Sequence, residues 1–282
     1  MPNAFFQLFF FIHRLSIDIA LGAAAVLLGL SSALLLAIPW YYYVLLINGT
    51  FIIYWIDHIQ DSQKALLVQA GARHAIFKKY RWVFMLGIAL LAVCNALLVY
   101  LFLPIPAVLL GMLLLAILLA YLRFHRQLKR VFVLEKEVLI AILYTLSTGF
   151  AALVLFASPY ATDWLVLACL LFSIFCSCLQ NLFSSARIEA YADAQAGIRN
   201  ISHLFGSVRL KLLQELFLCL QALLVFTFFI LFQQPALLRF SSLLLLIAAG
   251  NYALPYFYSD TQDPSYRWIG DGVFLLLFLC AL

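Results

Sequence analysis

Charge is what this chain has least of. Only 10% of its 282 residues are Asp, Glu, Lys or Arg, whereas 67% are hydrophobic, and the mean hydropathy is +1.08. A soluble globule of this size carries about a quarter charged residues. The composition therefore excludes a water-soluble domain and describes a polytopic membrane protein. Paired cysteines are missing as well. Cys94, Cys169, Cys176, Cys178, Cys219 and Cys280 all sit inside apolar runs, with no disulfide framework and no histidines at ligand spacing. Cys176-x-Cys178 alone lacks the two further ligands that a soft metal site needs. A cleavable secretory leader is not expected, because His13-Arg14 follow the apolar start instead of preceding it. A short interfacial helix leading into the first span is expected there instead. The formal charge of +5 implies no nucleic-acid partner; it reflects where basic residues stand relative to a bilayer.

Apolar runs of the roughly 17–25 residues needed to cross a hydrocarbon core fall near 15–38, 40–60, 82–102, 104–122, 137–157, 164–186, 209–232, 239–257 and 267–282. The expected fold is all-α: about nine transmembrane helices in one bundle, a single integral-membrane domain over 1–282. Pro39, Pro104, Pro106, Pro159 and Pro235 punctuate the runs, since proline removes a helical donor and clashes with the preceding turn. With nine spans the loops alternate sides, and every Lys and Arg except Arg239 falls on the N-terminal side. By the positive-inside rule that side is cytoplasmic, and the expected location is a bacterial inner (plasma) membrane.

Acids are scarce, so their spacing is informative. Asp57 and Asp61 close the second run, and Glu189 and Asp193 close the sixth. Each pair is spaced i, i+4, which puts both carboxylates on one helix face. Both runs enter from outside, so both pairs emerge at the cytoplasmic face. The chain thus contains a weak repeat: two four-helix units, with acidic pairs at the ends of helices 2 and 6, followed by a ninth helix.

The segment from Glu189 through Asp193, Gly197 and Arg199 to Gly206 resembles the second aspartate motif of the UbiA prenyltransferase superfamily. The first motif of that family has the form Asn-Asp-x-x-Asp-x-x-x-Asp. Asp57-x-x-x-Asp61 matches its last two acids, while Ile53-Tyr54 stand where Asn-Asp would be, and Ala186 falls where the second motif often has a further aspartate. Tyr121, Lys129-Arg130 and Lys136 are similar to the family's Lys-Arg region between helices four and five. The resemblance implies nine helices and a cytoplasmic-side site where Mg2+ binds through Asp57, Asp61, Glu189 and Asp193. It also implies transfer of an isoprenyl group from its diphosphate to a lipophilic acceptor, that is, a prenyltransferase.

The residues alone are compatible with that chemistry. Magnesium takes hard oxygen ligands, often one or two carboxylates together with substrate phosphates. Arg73, Lys129, Arg130, Lys136 and Arg199 are candidates to hold diphosphate oxygens. Tyr54, Trp55, Tyr144 and Tyr191 could line the site and face a developing cation. Each feature also has a plainer explanation. Acids at a span end meet water and headgroups, basic loops set topology, and aromatics at 16% of the chain mostly pack. His58, between the acids, points off their face as a polar filler. Arg267 and Asp271 are expected to form an ion pair, and Asp18 to pair with Arg14. Asn48 and Asn181 lie deeper and suit interhelical hydrogen bonds. Two other functions remain open: a lipid-binding protein of the same fold without catalysis, and a cation- or proton-coupled transporter. The acceptor, the prenyl chain length and the oligomeric state are not encoded legibly.

Overall fold

The computed structural model describes residues 12–64, 72–128, 135–156, 161–195, 201–258 and 265–281. Its helices are α1 (Ile17–Ala33), α2 (Trp40–Lys64), α3 (Ala72–Lys79), α4 (Arg81–Phe102), α5 (Ile105–Leu128), α6 (Glu135–Leu155), α7 (Ala161–Gln195), α8 (Ile201–Leu231), α9 (Pro235–Phe257) and α10 (Ser265–Gly272). A 3₁₀ segment, Val273–Ala281, follows α10. The described residues contain no strand, so the protein is all-α. Within α4, α6, α7, α8 and α9 lie five stretches long and apolar enough to cross a membrane. The other expected spans are of a different character. Ile17–Ala33 and Ile105–Ile117 are apolar but shorter, and α2 mixes Tyr, Asn and two aspartates into its apolar run. The final run does not continue as one α-helix: it changes to 3₁₀ after Gly272. At about 2.0 Å per residue, that winding stretches a short segment further than an α-helix would.

α1 is the hub. It packs against α2, α6, α9, α10 and the 3₁₀ segment. Gly22-Ala23-Ala24-Ala25 supply the small residues that let backbones approach closely where lipid gives no hydrophobic drive to association. Ala25, Val26 and Leu30 are wholly buried, in a core shared with Leu170 and Ile174 of α7, Phe240 and Leu244 of α9, and Leu277.

Helices α7, α8 and α9 are joined by polar side chains. Gln214 on α8 donates from Nε2 to Ser184 Oγ at 2.8 Å, and its backbone carbonyl accepts from Gln180 Nε2 at 2.6 Å. Two turns along, Gln221 Nε2 donates to the Ser173 carbonyl and to Ser177 Oγ at 2.8 and 2.9 Å. Ser177 and Ser184 in turn donate to the Leu244 and Asn251 carbonyls of α9. Positions 173, 177, 180 and 184 follow the 3–4 spacing of one helix face, so one stripe of α7 faces both neighbours.

The other side of α1 is held differently. α3 lies between the expected spans 40–60 and 82–102, and there Ile76 and Phe77 turn inward. Phe77 stacks on Phe84 of α4 at 4.1 Å between ring centroids, and Trp55 of α2 meets Phe84 edge-on at 5.1 Å. Near the start of α8, Gly206 has φ 75° and ψ 149°, a region open essentially only to glycine. The closing glycine of the second motif therefore marks a break between a short turn at Ile201 and the long helix that follows.

Candidate functional site

The His58 turn of α2 and the middle of α7, two turns before Glu189, are linked by a path of buried and half-buried polar groups. On α2, His58 is buried, its ring 5.0 Å from that of Phe77. Its Nε2 hydrogen-bonds Ser16 Oγ at 3.1 Å. Ser16 has φ 61°, a left-handed conformation that interrupts the chain between a helical turn at residues 12–14 and α1. Its amide donates back to the His13 carbonyl at 2.9 Å. That reversal folds His13 over Asp18, and Nδ1 of His13 donates to Oδ2 of Asp18 at 2.7 Å. Asp271 of α10 lies within the same cluster: one ligand atom from each of His13, Asp18 and Asp271 falls within 4.8 Å of the others. Asp271 Oδ1 accepts from Asn181 Nδ2 on α7 at 2.8 Å, closing the path.

Two expected ion pairs are thereby corrected. Asp18 pairs with His13 and not with Arg14, because the left-handed Ser16 breaks the helical register that an i, i+4 contact requires. Arg267 does not turn to Asp271. Its Nη2 and Nε reach Glu189 Oε1 on α7 at 2.6 and 2.8 Å, and Tyr266 donates to the same oxygen at 2.6 Å. Asp271 points inward instead. Burial raises the Tyr266 phenol above its usual range, with Arg267 opposing and Glu189 adding to the shift, so Tyr266 remains a donor to Glu189. By contrast, Asn48 bonds Asn95 of α4 and Asn181 bonds Asp271, the interhelical role expected of both.

The expected site residues are placed as follows. Asp57 is exposed on α2, Asp193 is half-buried on α7, and Glu189 is half-buried with one oxygen already taking three donors. Asp61 on α2, Arg73 on α3 and Lys136 on α6 have described backbones, but their side chains lie outside the described residues, as does that of Tyr121. Lys129, Arg130 and Arg199 lie outside the described residues altogether. Tyr54 is half-buried, its ring 6.1 Å from that of His58. Tyr144 is half-buried between two core clusters. Tyr191 is 75% exposed, facing away from the interior.

Hard carboxylate oxygens at Asp57 and Asp193 suit Mg2+. Glu189 Oε1 does not, because its three donors already satisfy it. The inward-facing residues His13, Ser16, Asp18 and Asp271 were not singled out as a site by sequence reasoning. A signal was there: an acid inside an apolar run, as Asp18 is, marks a functional position by default. No family model, curated protein or solved structure matches this chain.

Proposed function

We propose that the protein is a nine-span intramembrane prenyltransferase of the UbiA type. Asp57, Asp61 and Asp193 would bind Mg2+ and the diphosphate of an isoprenyl donor, and Arg73, Lys129, Arg130, Lys136 and Arg199 would hold phosphate oxygens. Glu189, tied to Arg267 and Tyr266, would anchor α7 beside the site. The observation that carries this proposal is the polar path His58–Ser16–His13–Asp18–Asp271–Asn181, buried at its α2 end and half-buried at its α7 end. It supports placing the end of α2 and α7 on one side of α1, with Glu189 and Asp193 two to three turns beyond Asn181 on the same helix.

The bound ion would neutralise the diphosphate as a leaving group. In the transfer, the bond from the allylic carbon to the diphosphate oxygen breaks, and its electron pair leaves on the oxygen. The lipophilic acceptor forms the new bond to that carbon and gives up a proton. This chain's own part is to hold the phosphates with basic groups and to keep the hydrocarbon tail among apolar helices. Tyr54, half-buried beside His58, is placed to turn its ring toward positive charge.

The test is binding of labelled isoprenyl diphosphates of several chain lengths to the purified protein, with and without Mg2+. Mg2+-dependent binding that is lost in Asp61→Ala and in Asp193→Ala is expected. A folded protein that binds none of them would overturn the assignment in favour of a lipid-binding or transport role.

A further inference from the structure

We propose that His13, Asp18 and Asp271 form a binding site for one divalent first-row transition-metal ion, which pins the start of α1 to α10. The site is distinct from the acidic pairs and does not depend on the prenyltransferase assignment.

One donor atom from each residue lies within 4.8 Å of the other two. Ligand atoms about 2.1 Å from an ion and at right angles to one another lie about 3 Å apart. The 2.7 Å between His13 Nδ1 and Asp18 Oδ2 therefore needs only a small opening to become a cis pair of ligands. The ion would take the place of the hydrogen between those two atoms, leaving Nδ1 and Oδ2 as its ligands.

The charge balance argues for a cation. Asp18 is fully buried and His13 nearly so. Two carboxylates stand within 4.8 Å of one another and of the His13 imidazole, an arrangement that a shared cation stabilises. Asp18 Oδ1 is buried with no hydrogen-bond partner at all. A carboxylate oxygen in that state is expensive, and a metal ion would satisfy it. Asn251 of α9, also fully buried, leaves both amide atoms without partners. It lies against Gly270, the residue before Asp271, so further polar capacity sits next to the cluster.

The outer groups resemble the supports that metal ligands use. Asn181 Nδ2 fixes Asp271 at 2.8 Å, and the turn at Ser16 fixes His13. Such groups orient ligands and typically change metal affinity 10–100-fold when removed. A mixed imidazole and carboxylate set selects Mn2+, Fe2+ or Zn2+ over Mg2+, which takes oxygen ligands almost alone.

The experiment uses the full chain, purified in detergent and stripped with a chelator. Mn2+ is added and followed by electron paramagnetic resonance, with Zn2+ as competitor. With Mg2+ in excess to occupy the acidic pairs, one saturable Mn2+ per chain, displaced by Zn2+, is expected. Affinity should fall at least tenfold in Asp18→Asn, His13→Gln and Asp271→Asn, and also in Asn181→Ala, while Glu215→Gln, at a carboxylate of α8 outside both sites, retains it. The melting temperature of the unsubstituted protein provides a readout that needs no variant. Mn2+ or Zn2+ should raise it above the value reached with Mg2+ at the same concentration. Absence of saturable binding, binding unaffected by all three ligand substitutions, or a melting temperature unmoved by Mn2+ and Zn2+ would each overturn the proposal.

Discussion

Helix α4 is the more apolar of α4 and α7, yet 11% of its apolar window is buried against 56% for α7. The difference lies in their few polar residues. α7 carries Ser173, Ser177, Gln180 and Ser184 on one stripe, each hydrogen-bonded to α8 or α9 or accepting from it. α4 offers Asn95 to Asn48 and otherwise packs through rings around Phe84. In a bilayer, leucine gains nothing by facing another helix instead of a lipid tail, so association depends on close packing and on polar groups that would be unsatisfied in hydrocarbon. Scattered polar residues, more than hydropathy, identify the interior of this protein.

The largest effect is expected where polar side chains and close packing coincide. A Cβ at Gly270 would lie 2.6 Å from Asn181 Oδ1 and 3.2 Å from Asn251 Oδ1. The first distance is shorter than any ordinary contact, so either α10 or the Asn181 amide, which holds Asp271, must shift. Gly270→Ala should cost about 1–3 kcal/mol, the usual range for overpacking. Thermal unfolding in detergent should show this as a melting temperature lower by several degrees. An unchanged temperature would mean that α10 docks loosely and that the polar half is no tighter than the other.

Gln214→Leu comes next. It preserves bulk but removes the donor to Ser184 Oγ and the acceptor that takes Arg187 Nη1 at 2.7 Å. Interhelical hydrogen bonds in membranes are worth about 1–2 kcal/mol at most, and the variant should lose about that much by the same unfolding measurement. If Gln214→Leu were as stable as the parent, the seam would be a consequence of packing and not its cause.

Much of the fold was legible, and the reasons it was legible are physical. Hydropathy and proline located the helices closely: the run expected at 82–102 is α4, Arg81–Phe102, and that at 239–257 is α9, Pro235–Phe257. Legibility failed where one residue changes the backbone. The pairing of Asp18 with Arg14 assumes a continuous helix, and the left-handed Ser16 removes it; no composition or periodicity announces such a residue. It failed also where two partners compete. Arg267 stands one turn from Asp271, but Glu189 and Tyr266 offer its guanidinium a better-satisfied position across the interface. The acidic pairs were visible because i, i+4 spacing is local. The cluster of His13, Asp18 and Asp271 was not, since it joins residues more than 250 positions apart in the chain.

On the aromatic side the effects should be smaller. Asn48→Ala removes the 2.9 Å bond to Asn95 Oδ1 and the longer, weaker one to Cys94 Sγ, both joining α2 to α4. Averaged over measured cases such a bond contributes about 0.6 kcal/mol, so the melting temperature should fall only slightly, and by less than in Gln214→Leu. A larger loss than in Gln214→Leu would invert the comparison between the two sides.

Leu97→Ala on α4 should have the smallest effect. Leu97 is 56% exposed, and its side chain faces outward on a helix that the interior hardly covers. Replacing it exchanges one apolar surface against lipid for a smaller one. Surface substitutions of this kind change stability by no more than about 0.5 kcal/mol, and the melting temperature should stay within error of the parent. The value of this variant lies in its sensitivity to covering. If Leu97→Ala lowers the melting temperature clearly while leaving the protein monodisperse, the outer face of α4 is packed against something other than lipid. The low burial of α4 would then describe an interface, and the contrast with α7 would be one of partner and not of polarity.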